Sequence, residues 1–524
     1  MSIPTGSSIL EGKVVPTPPM TLVDAVADHA QSQPDALALE GDGEQRTYGE
    51  LWADTTRIAG ALAEAGVSSG DQVAIWATRT APVVASALAA MALGAGYVPI
   101  DPTYPPARVR RILEVAKPVV IVCADAELVA GSVPDGVAIV ESHDGPTTPT
   151  PLVLAAKDSA IAYTVFTSGS TGLPKGVLVT HGALRNYLEW ARTLTNFSPT
   201  DATPCFASLG FDHAVTCLWL PLWVGGSVQL IPDSWDPRPW LVERSKPFAF
   251  IKITPSHVRL FERIAKPDYK AITRCLMFGG ERLDAALVAG LGDRVDGIKL
   301  LNHYGPTEAT VGCSAFTFTN NEIPTEGVLP IGVPVDNSSV YLIDETSSPV
   351  ALGEEGELVF TGACVAAGYV GGDAKDAARF TTAMKIGASA PARAYRTGDR
   401  AVIRDGQINY LGRQDEQVKV RGHRIEIQEV HDVALSVPGV AQVAITLMAS
   451  GLGGLELFVV PEANAEGVVA RVVERCRAEL PAAAVPERVR LVTKLVVNVH
   501  GKWDPQATRE LAEQIAANNK GAAS

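Results

Sequence analysis

Across 524 residues there is no Cys-x-x-Cys pair, no low-complexity tract and no internal repeat. The seven cysteines (123, 205, 217, 275, 313, 364 and 476) are scattered and odd in number, which excludes a disulfide framework and a zinc site and points to reduced core thiols in a cytosol. Positive charge is also short: the net charge of −14 argues against nucleic acid or an anionic membrane as the main partner. The first residues, MSIPTGSSILEGK, lack both a basic n-region and an apolar h-region, so no signal peptide is read. One stretch, 81–100, runs without a charge, but Pro82, Pro99 and its Ala/Gly content predict a buried helix followed by a strand rather than a membrane span. A soluble, cytoplasmic protein of several domain-sized units is expected.

What is present centres on residues 160–176, AIAYTVFTSGSTGLPKG. Ala160 to Phe166 is a β-branched and aromatic run that predicts a buried strand. Thr167, Ser168, Gly169, Ser170 and Thr171 follow, a segment that can wrap backbone N–H groups and hydroxyls around an anion, with Lys175 as a point charge suited to phosphate. This is not a Walker A loop, because Pro174 stands where the second glycine belongs. Taken alone, the same residues would also serve as a flexible linker.

Two capping boxes, Thr21 with Asp24 and Thr47 with Glu50, predict helix starts. Apolar runs at 36–39, 73–77, 97–100 and 119–123 alternate with helical segments such as 107–116, which implies βαβ units and a largely parallel sheet. Further strands are expected at 227–231, 248–253, 275–278 and 299–302. From about residue 323 short strands crowd together around the turn Asp405-Gly406, predicting a small antiparallel, barrel-like sheet. The expected fold is therefore α/β: an N-terminal domain (1–411) of two βαβ-type sheet units plus that small sheet, a hinge (412–415) containing Asp415, and a small mobile α+β C-terminal domain (416–524).

Further motifs stand in fixed order: Asn302-His303-Tyr304-Gly305-Pro306-Thr307-Glu308; Gly356-Glu357-Leu358 with Gly368-Tyr369; Tyr395-Arg396-Thr397-Gly398-Asp399; and Gly412-Arg413 through Arg421-Gly422-x-Arg424-Ile425-Glu426. With TSGSTGLPKG, TYGEL at 47–51 and GAGYVPIDPTY at 94–104, they resemble the adenylate-forming superfamily, and within it the amino-acid adenylation domains of nonribosomal peptide synthesis. The resemblance covers about residues 20–510. It implies a two-step reaction. A carboxylate first attacks the α-phosphate of ATP, giving an acyl adenylate and pyrophosphate; a phosphopantetheine thiol then takes the acyl group as AMP leaves.

The resemblance also assigns roles. Thr167 to Thr171 would bind the β- and γ-phosphates, and Glu308 with Thr171 would hold Mg²⁺ through hard oxygen ligands. Tyr304 would pack on adenine with Asn302 near its amino group, and Asp399 would accept from both ribose hydroxyls, assisted by Arg413. Gly279, Gly280, Gly305, Thr307 and Lys175 complete the nucleotide set. Lys502, in Gly501-Lys502-Trp503-Asp504, matches the catalytic lysine, although Val496, His500 and Pro505 depart from the family pattern; its ammonium would neutralise charge developing between carboxylate and α-phosphate.

For the substrate, Asp212 matches the aspartate that pairs with an α-amino acid's ammonium; as a plain sequence feature it also reads as the N-cap of a helix from residue 214. The pocket is expected to be lined by Asp212, His213, Thr216, Ser256, Met277, Gly279, His303, Val311 and Gly312. Several of these look like aspartate-selecting members, except that those carry a lysine where Ser256 stands. Charged His213 and His303 are expected to replace it. The implied substrate is a small polar α-amino acid, L-aspartate or a β-substituted relative first, loaded onto a separate carrier protein. An acyl- or aminoacyl-CoA ligase is the alternative, and a non-catalytic adenylate-binding protein ranks last.

Overall fold

The computed structural model describes the chain outside residues 1–5, 42, 130, 146–153, 168–173, 233–237, 243–244, 325, 383–392, 415–416, 449–452, 463–464, 498–502 and 523–524. Both capping boxes form, Thr21 opening Leu22–Ser32 and Thr47 opening Tyr48–Glu64, each with reciprocal side-chain bonds to its third residue. The charge-free stretch becomes the helix Ala81–Ala92 and the fully buried strand Gly96–Ile100. No described helix is long and apolar enough to cross a membrane. All seven cysteines are buried thiols, none in a disulfide.

Gly96–Ile100 lies in a seven-stranded sheet whose middle strands run parallel and whose far edge, Ile161–Thr167, Lys175–Thr180 and Gly368–Val370, is antiparallel. A second layer holds a four-stranded and a five-stranded sheet. In the latter, Ile251–Ile253, Cys275–Gly279 and Lys299–Tyr304 run parallel, so all three end on the same side. The late short strands make a six-stranded antiparallel sheet, as expected, but it is open rather than barrel-like, with Ile9–Glu11 on one edge. Its turn at Asp405-Gly406 has φ of 51° and 69°, the paired positive values of a type I′ hairpin.

The apolar core follows this layering. One cluster spans the large sheets from Leu22 through Trp219 to Ile408, and another, including Phe206, Phe261 and Phe278, lies under the five-stranded sheet. Residues from Val420 to Ala484 form a core of their own in a C-terminal lobe built on Val440–Leu447, Leu455–Pro461 and Arg488–Leu491. That lobe is seated on the large body through ion pairs. Arg108 on the helix Pro106–Ala116 donates to Glu429 at 2.8 Å, both nearly fully buried, and Arg111 donates to Glu479 at 2.7 Å. Arg108→Ala would leave Glu429 buried without a counter-charge, a loss of about 3–5 kcal/mol. The expected result is a larger radius of gyration in solution scattering; an unchanged scattering curve would show that this pair does not hold the lobe.

Candidate active site

Ligands of α/β sheets bind beyond the carboxyl ends of parallel strands. Here those ends supply Lys252 and Thr254, then Gly279 and Gly280, then His303, Tyr304 and Gly305. Across the gap stand Thr167, at the end of Ile161–Thr167, and Asp212, at the start of His213–Val224. The C-terminal lobe closes the space with the hairpin Gln417–Val420/His423–Glu426. His423 meets Phe211 edge-on at 4.2 Å between ring centroids, and Lys419 lies 5.9 Å from the ring centroid of Tyr304.

Three connected hollows result. One, of about 340 Å³, is lined by Asp212, His213, Lys252, His303, Val311 and Gly422 among others. A narrower one joins Asp212 to Tyr304, Thr307, Asp399 and Arg413, and a third, lined by Asn302, Tyr304 and Asp399, opens outward. Asp212 stands where the first two meet. It occupies the N-cap position, but its backbone is already helical (φ −63°, ψ −18°) and its side chain makes no cap bond, so the carboxylate faces the hollows instead. Burial raises the Asp212 carboxyl, opposed by its hydrogen bond to Thr307 and by the charge of Lys252.

The residues assigned to ribose come together. Arg413 donates to Asp399 Oδ1 at 2.8 Å, the Tyr304 hydroxyl donates to Asp399 Oδ2, and Thr397 Oγ1 accepts from the Asp399 backbone N–H at 3.0 Å. Asp399 and Asn302 are nearly fully buried. Asn302 gives its Nδ2 to the carbonyls of Leu329 and Pro330, which turns its Oδ1 into the acceptor available to an amino group.

Glu308 is fully buried in the turn Thr307–Ala309. Burial alone would raise its carboxyl, but Arg424, which donates to both oxygens at 2.9 and 3.0 Å, the charge of Lys175, and Tyr369, which donates at 2.5 Å, hold it down at about 2. An ionised carboxylate of this kind fits a hard divalent cation, although in this arrangement Arg424 of the hairpin takes the place beside it. Lys175, expected at phosphate, is ion-paired with buried Asp376 and lies 4.8 Å from the Tyr369 ring centroid, so its charge is committed within the protein. Ser168, Gly169, Ser170, Thr171, Lys502 and Asp415 lie outside the described residues.

At the other end, Thr216 is fully buried and sits between the Tyr187 hydroxyl, at 2.5 Å, and the Lys252 ammonium, at 2.8 Å; Tyr187 also reaches His303 Nε2 at 3.2 Å. Gly279 and Gly312 stand behind His303. A Cβ at Gly312 would come within 2.0 Å of the imidazole, and one at Gly279 within 3.2 Å of the His303 carbonyl oxygen. Thr310 and Val311 hold φ of 56° and 68°, a costly left-handed pair that turns Val311 into the hollow.

One expected lining residue of this pocket needs correction. Met277 is fully buried in the apolar core and does not line the hollow. Ser256 does line the hollow, with its hydroxyl and N–H given to Glu281 at 2.8 and 3.0 Å. His213 and His303 were expected to be charged; here burial, reinforced by the Lys252 charge, pushes both well below the usual histidine range. The cation is Lys252, which sequence reasoning missed. Its signal was a single lysine inside the apolar strand run 248–253, on the opposite face from buried Ile251 and Ile253.

The profile of the AMP-binding enzyme family, described as "AMP-binding enzyme", matches residues 26–370. Syringomycin synthase SyrB1 of Pseudomonas syringae pv. syringae is 32% identical over 506 residues, which cover 93% of this chain and 81% of that protein. The chain belongs to the AMP-binding enzyme family. Tyrocidine synthase 3 of Brevibacillus parabrevis is 31% identical over 494 residues; these cover 92% of this chain but only 7% of that much longer protein. Among solved structures, NpsA-ThdA, an artificially fused adenylation-PCP di-domain from Klebsiella oxytoca, has the same fold. Its TM-score is 0.79 at 24% identity, covering 97% of this chain and 98% of that one.

Proposed function

We propose that this AMP-binding enzyme activates a small polar α-amino acid, L-aspartate or a β-substituted relative first, as its aminoacyl adenylate. It then passes the acyl group to the phosphopantetheine thiol of a separate carrier protein. The observation that carries this reading is Asp212: a carboxylate released from helix capping and standing between the Lys252–His303 hollow and the Asp399–Tyr304 cluster. There it can hold a substrate ammonium while the substrate carboxylate faces the nucleotide. Relatives named as nonribosomal peptide synthases and the adenylation-PCP title of a structural neighbour support the thiol acceptor.

Asp399 and Arg413 would orient the ribose, Asn302 and Tyr304 the base, and Glu308 with Thr171 would hold Mg²⁺, which neutralises phosphate charge when bound. In the first step the substrate carboxylate oxygen bonds to the α-phosphorus and pyrophosphate departs, with Lys502 assigned to the developing charge. In the second the thiol sulfur bonds to the acyl carbon, AMP leaves and the thiol proton is released. Residues 1–411 and 416–524 are proposed as the two domains, moving about Asp415 between these steps. A CoA ligase would share the first step and differ in the acceptor.

Asp212→Ala tests the reading. Removing one member of a desolvated charge pair is typically a loss of about 2–5 kcal/mol. Amino-acid-dependent ATP–pyrophosphate exchange is therefore expected to fall by about 30-fold or more, mainly through KM for the amino acid. Exchange kinetics equal to the wild type would remove Asp212 from the ammonium site.

A further inference from the structure

In the C-terminal lobe a fully buried hydroxyl is shared by three groups. Thr508, in the helix Pro505–Ala522, has no solvent exposure. Its Oγ1 accepts from the Val496 N–H at 3.0 Å and from the Trp503 indole Nε1 at 3.0 Å, and donates to the Asp504 carbonyl at 2.8 Å. A hydroxyl has one proton and two lone pairs, so this set uses all of them. Val496 and Asp504 are also joined directly, the Asp504 N–H donating to the Val496 carbonyl at 2.8 Å, and Val497 bridges Trp503 antiparallel. The chain on the two sides of residues 498–502 is thus tied together at one point.

This clamp is built on the lobe itself. The Trp503 ring meets Phe458 edge-on, 6.1 Å between centroids, in a small apolar cluster with Val492, Leu495 and Ala512. One residue beyond Thr508, Arg509 donates at 2.8 Å to Glu456, a carboxylate 1% exposed that also accepts from Arg490 at 2.6 Å. Asp504 Oδ1 accepts from the Ala507 N–H at 3.0 Å, and Pro505 opens the helix, at a position whose N–H has no helical partner. Two of the three departures from the family pattern around Lys502 therefore have a use in this chain. Pro505 suits the helix start, and Val496 gives Thr508 an N–H that a proline would lack.

We propose that Thr508, with Trp503 as its second anchor, is a positioning residue for Lys502 in adenylate formation. This inference rests on the amino-acid-activating reading above and on its assignment of Lys502. By holding Val496 and Trp503, the clamp fixes the base from which the lysine reaches the charge developing between carboxylate and α-phosphate. Such alignment is sensitive to displacements of about 1 Å, so a loosened base slows the chemical step. Nucleotide binding is left intact, because Asn302, Tyr304, Asp399 and Arg413 stand on the sheets of the large body.

The test is ATP–pyrophosphate exchange with an equimolar mixture of the protein amino acids, read as kcat and KM for ATP well below the melting transition. Thr508→Val, which keeps the shape and loses the hydroxyl, is expected to lower kcat by about 10–100-fold with KM for ATP unchanged. Thr508→Ser, which keeps the hydroxyl, is expected to recover most of that loss. A Thr508→Val enzyme with wild-type kcat overturns the inference, and so does a Thr508→Ser enzyme as slow as Thr508→Val. A fall in kcat matched by a rise in KM and by early melting marks a merely structural role and also overturns it. If Thr508→Val does not fold, Trp503→Phe decides, since it removes the indole donor and keeps a ring against Phe458: a fall in kcat supports the clamp, and an unchanged kcat overturns it. Lys502→Ala separates the two claims. If it exchanges like the wild type, the assignment of Lys502 fails and the inference falls with it; if it is slow while Thr508→Val is not, only the inference fails. A wild type that exchanges with no amino acid overturns the amino-acid reading and the inference together.

Discussion

Glu308→Gln is expected to abolish measurable ATP–pyrophosphate exchange and to lower the stability of the closed arrangement by about 3–5 kcal/mol, the usual consequence of removing one partner from a buried ion pair. The reason is visible in its surroundings. The carboxylate has no solvent exposure, accepts twice from Arg424 and once from Tyr369, and is held ionised at about 2. Glutamine keeps the volume but leaves the Arg424 guanidinium, itself nearly buried, facing a neutral amide. It also removes the charge assigned to a divalent cation here. Thermal melting and exchange should therefore fail together. A variant that melts like the wild type would show that the Arg424 pair contributes nothing, and one that keeps exchange would remove Glu308 from the cation's ligands.

Lys502→Ala is expected to slow adenylate formation by about 10²–10³-fold, since a donor aimed at developing charge typically contributes about 3–4 kcal/mol of transition-state stabilisation. Nucleotide binding should change little, because ribose and base are assigned to Asp399, Arg413, Asn302 and Tyr304. In the arrangement described above, the lobe offers the cleft its hairpin instead, with Arg424 on Glu308 and Lys419 near Tyr304. We propose that this face serves the thiol-transfer step and that Lys502 serves the first. Transfer from preformed aminoacyl adenylate to a carrier should then survive in Lys502→Ala. Exchange near the wild-type rate would show that Lys502 has no such role, and equal losses in both steps would contradict the division between faces.

Much of the large body was legible because local signals agreed with the global fold. The capping boxes at Thr21 and Thr47, the helix and strand within 81–100 and the turn at Asp405-Gly406 all formed as their residue types predict. The resemblance assigned Asp399 and Arg413 together to the ribose, and the geometry brings the two side chains together. What the sequence did not reveal depends on which side of a strand a residue faces and on what its neighbours do to its charge. Met277 looks like a pocket residue by position and shares a sheet face with its partner Lys252, but apolar neighbours cover it completely. The two histidines look like candidate cations until burial and Lys252 are added. Lys252 itself is concealed in an apolar run, and only the register of Ile251–Ile253 beside Cys275–Gly279 places its ammonium by Thr216. The ion pair of Lys175 was hidden for a related reason: its partner Asp376 is 201 residues away in the chain.

The most direct measurement of amino-acid activation is a quenched incubation of the enzyme with ATP, Mg²⁺ and an equimolar mixture of amino, aryl and fatty acids, followed by mass spectrometry of the adenylates formed. Asp212 and Lys252 at the two ends of one hollow predict aspartyl adenylate, or that of a β-substituted relative, as the dominant product. An aryl or fatty acyl adenylate as the dominant product, with no aminoacyl adenylate, would contradict amino-acid activation.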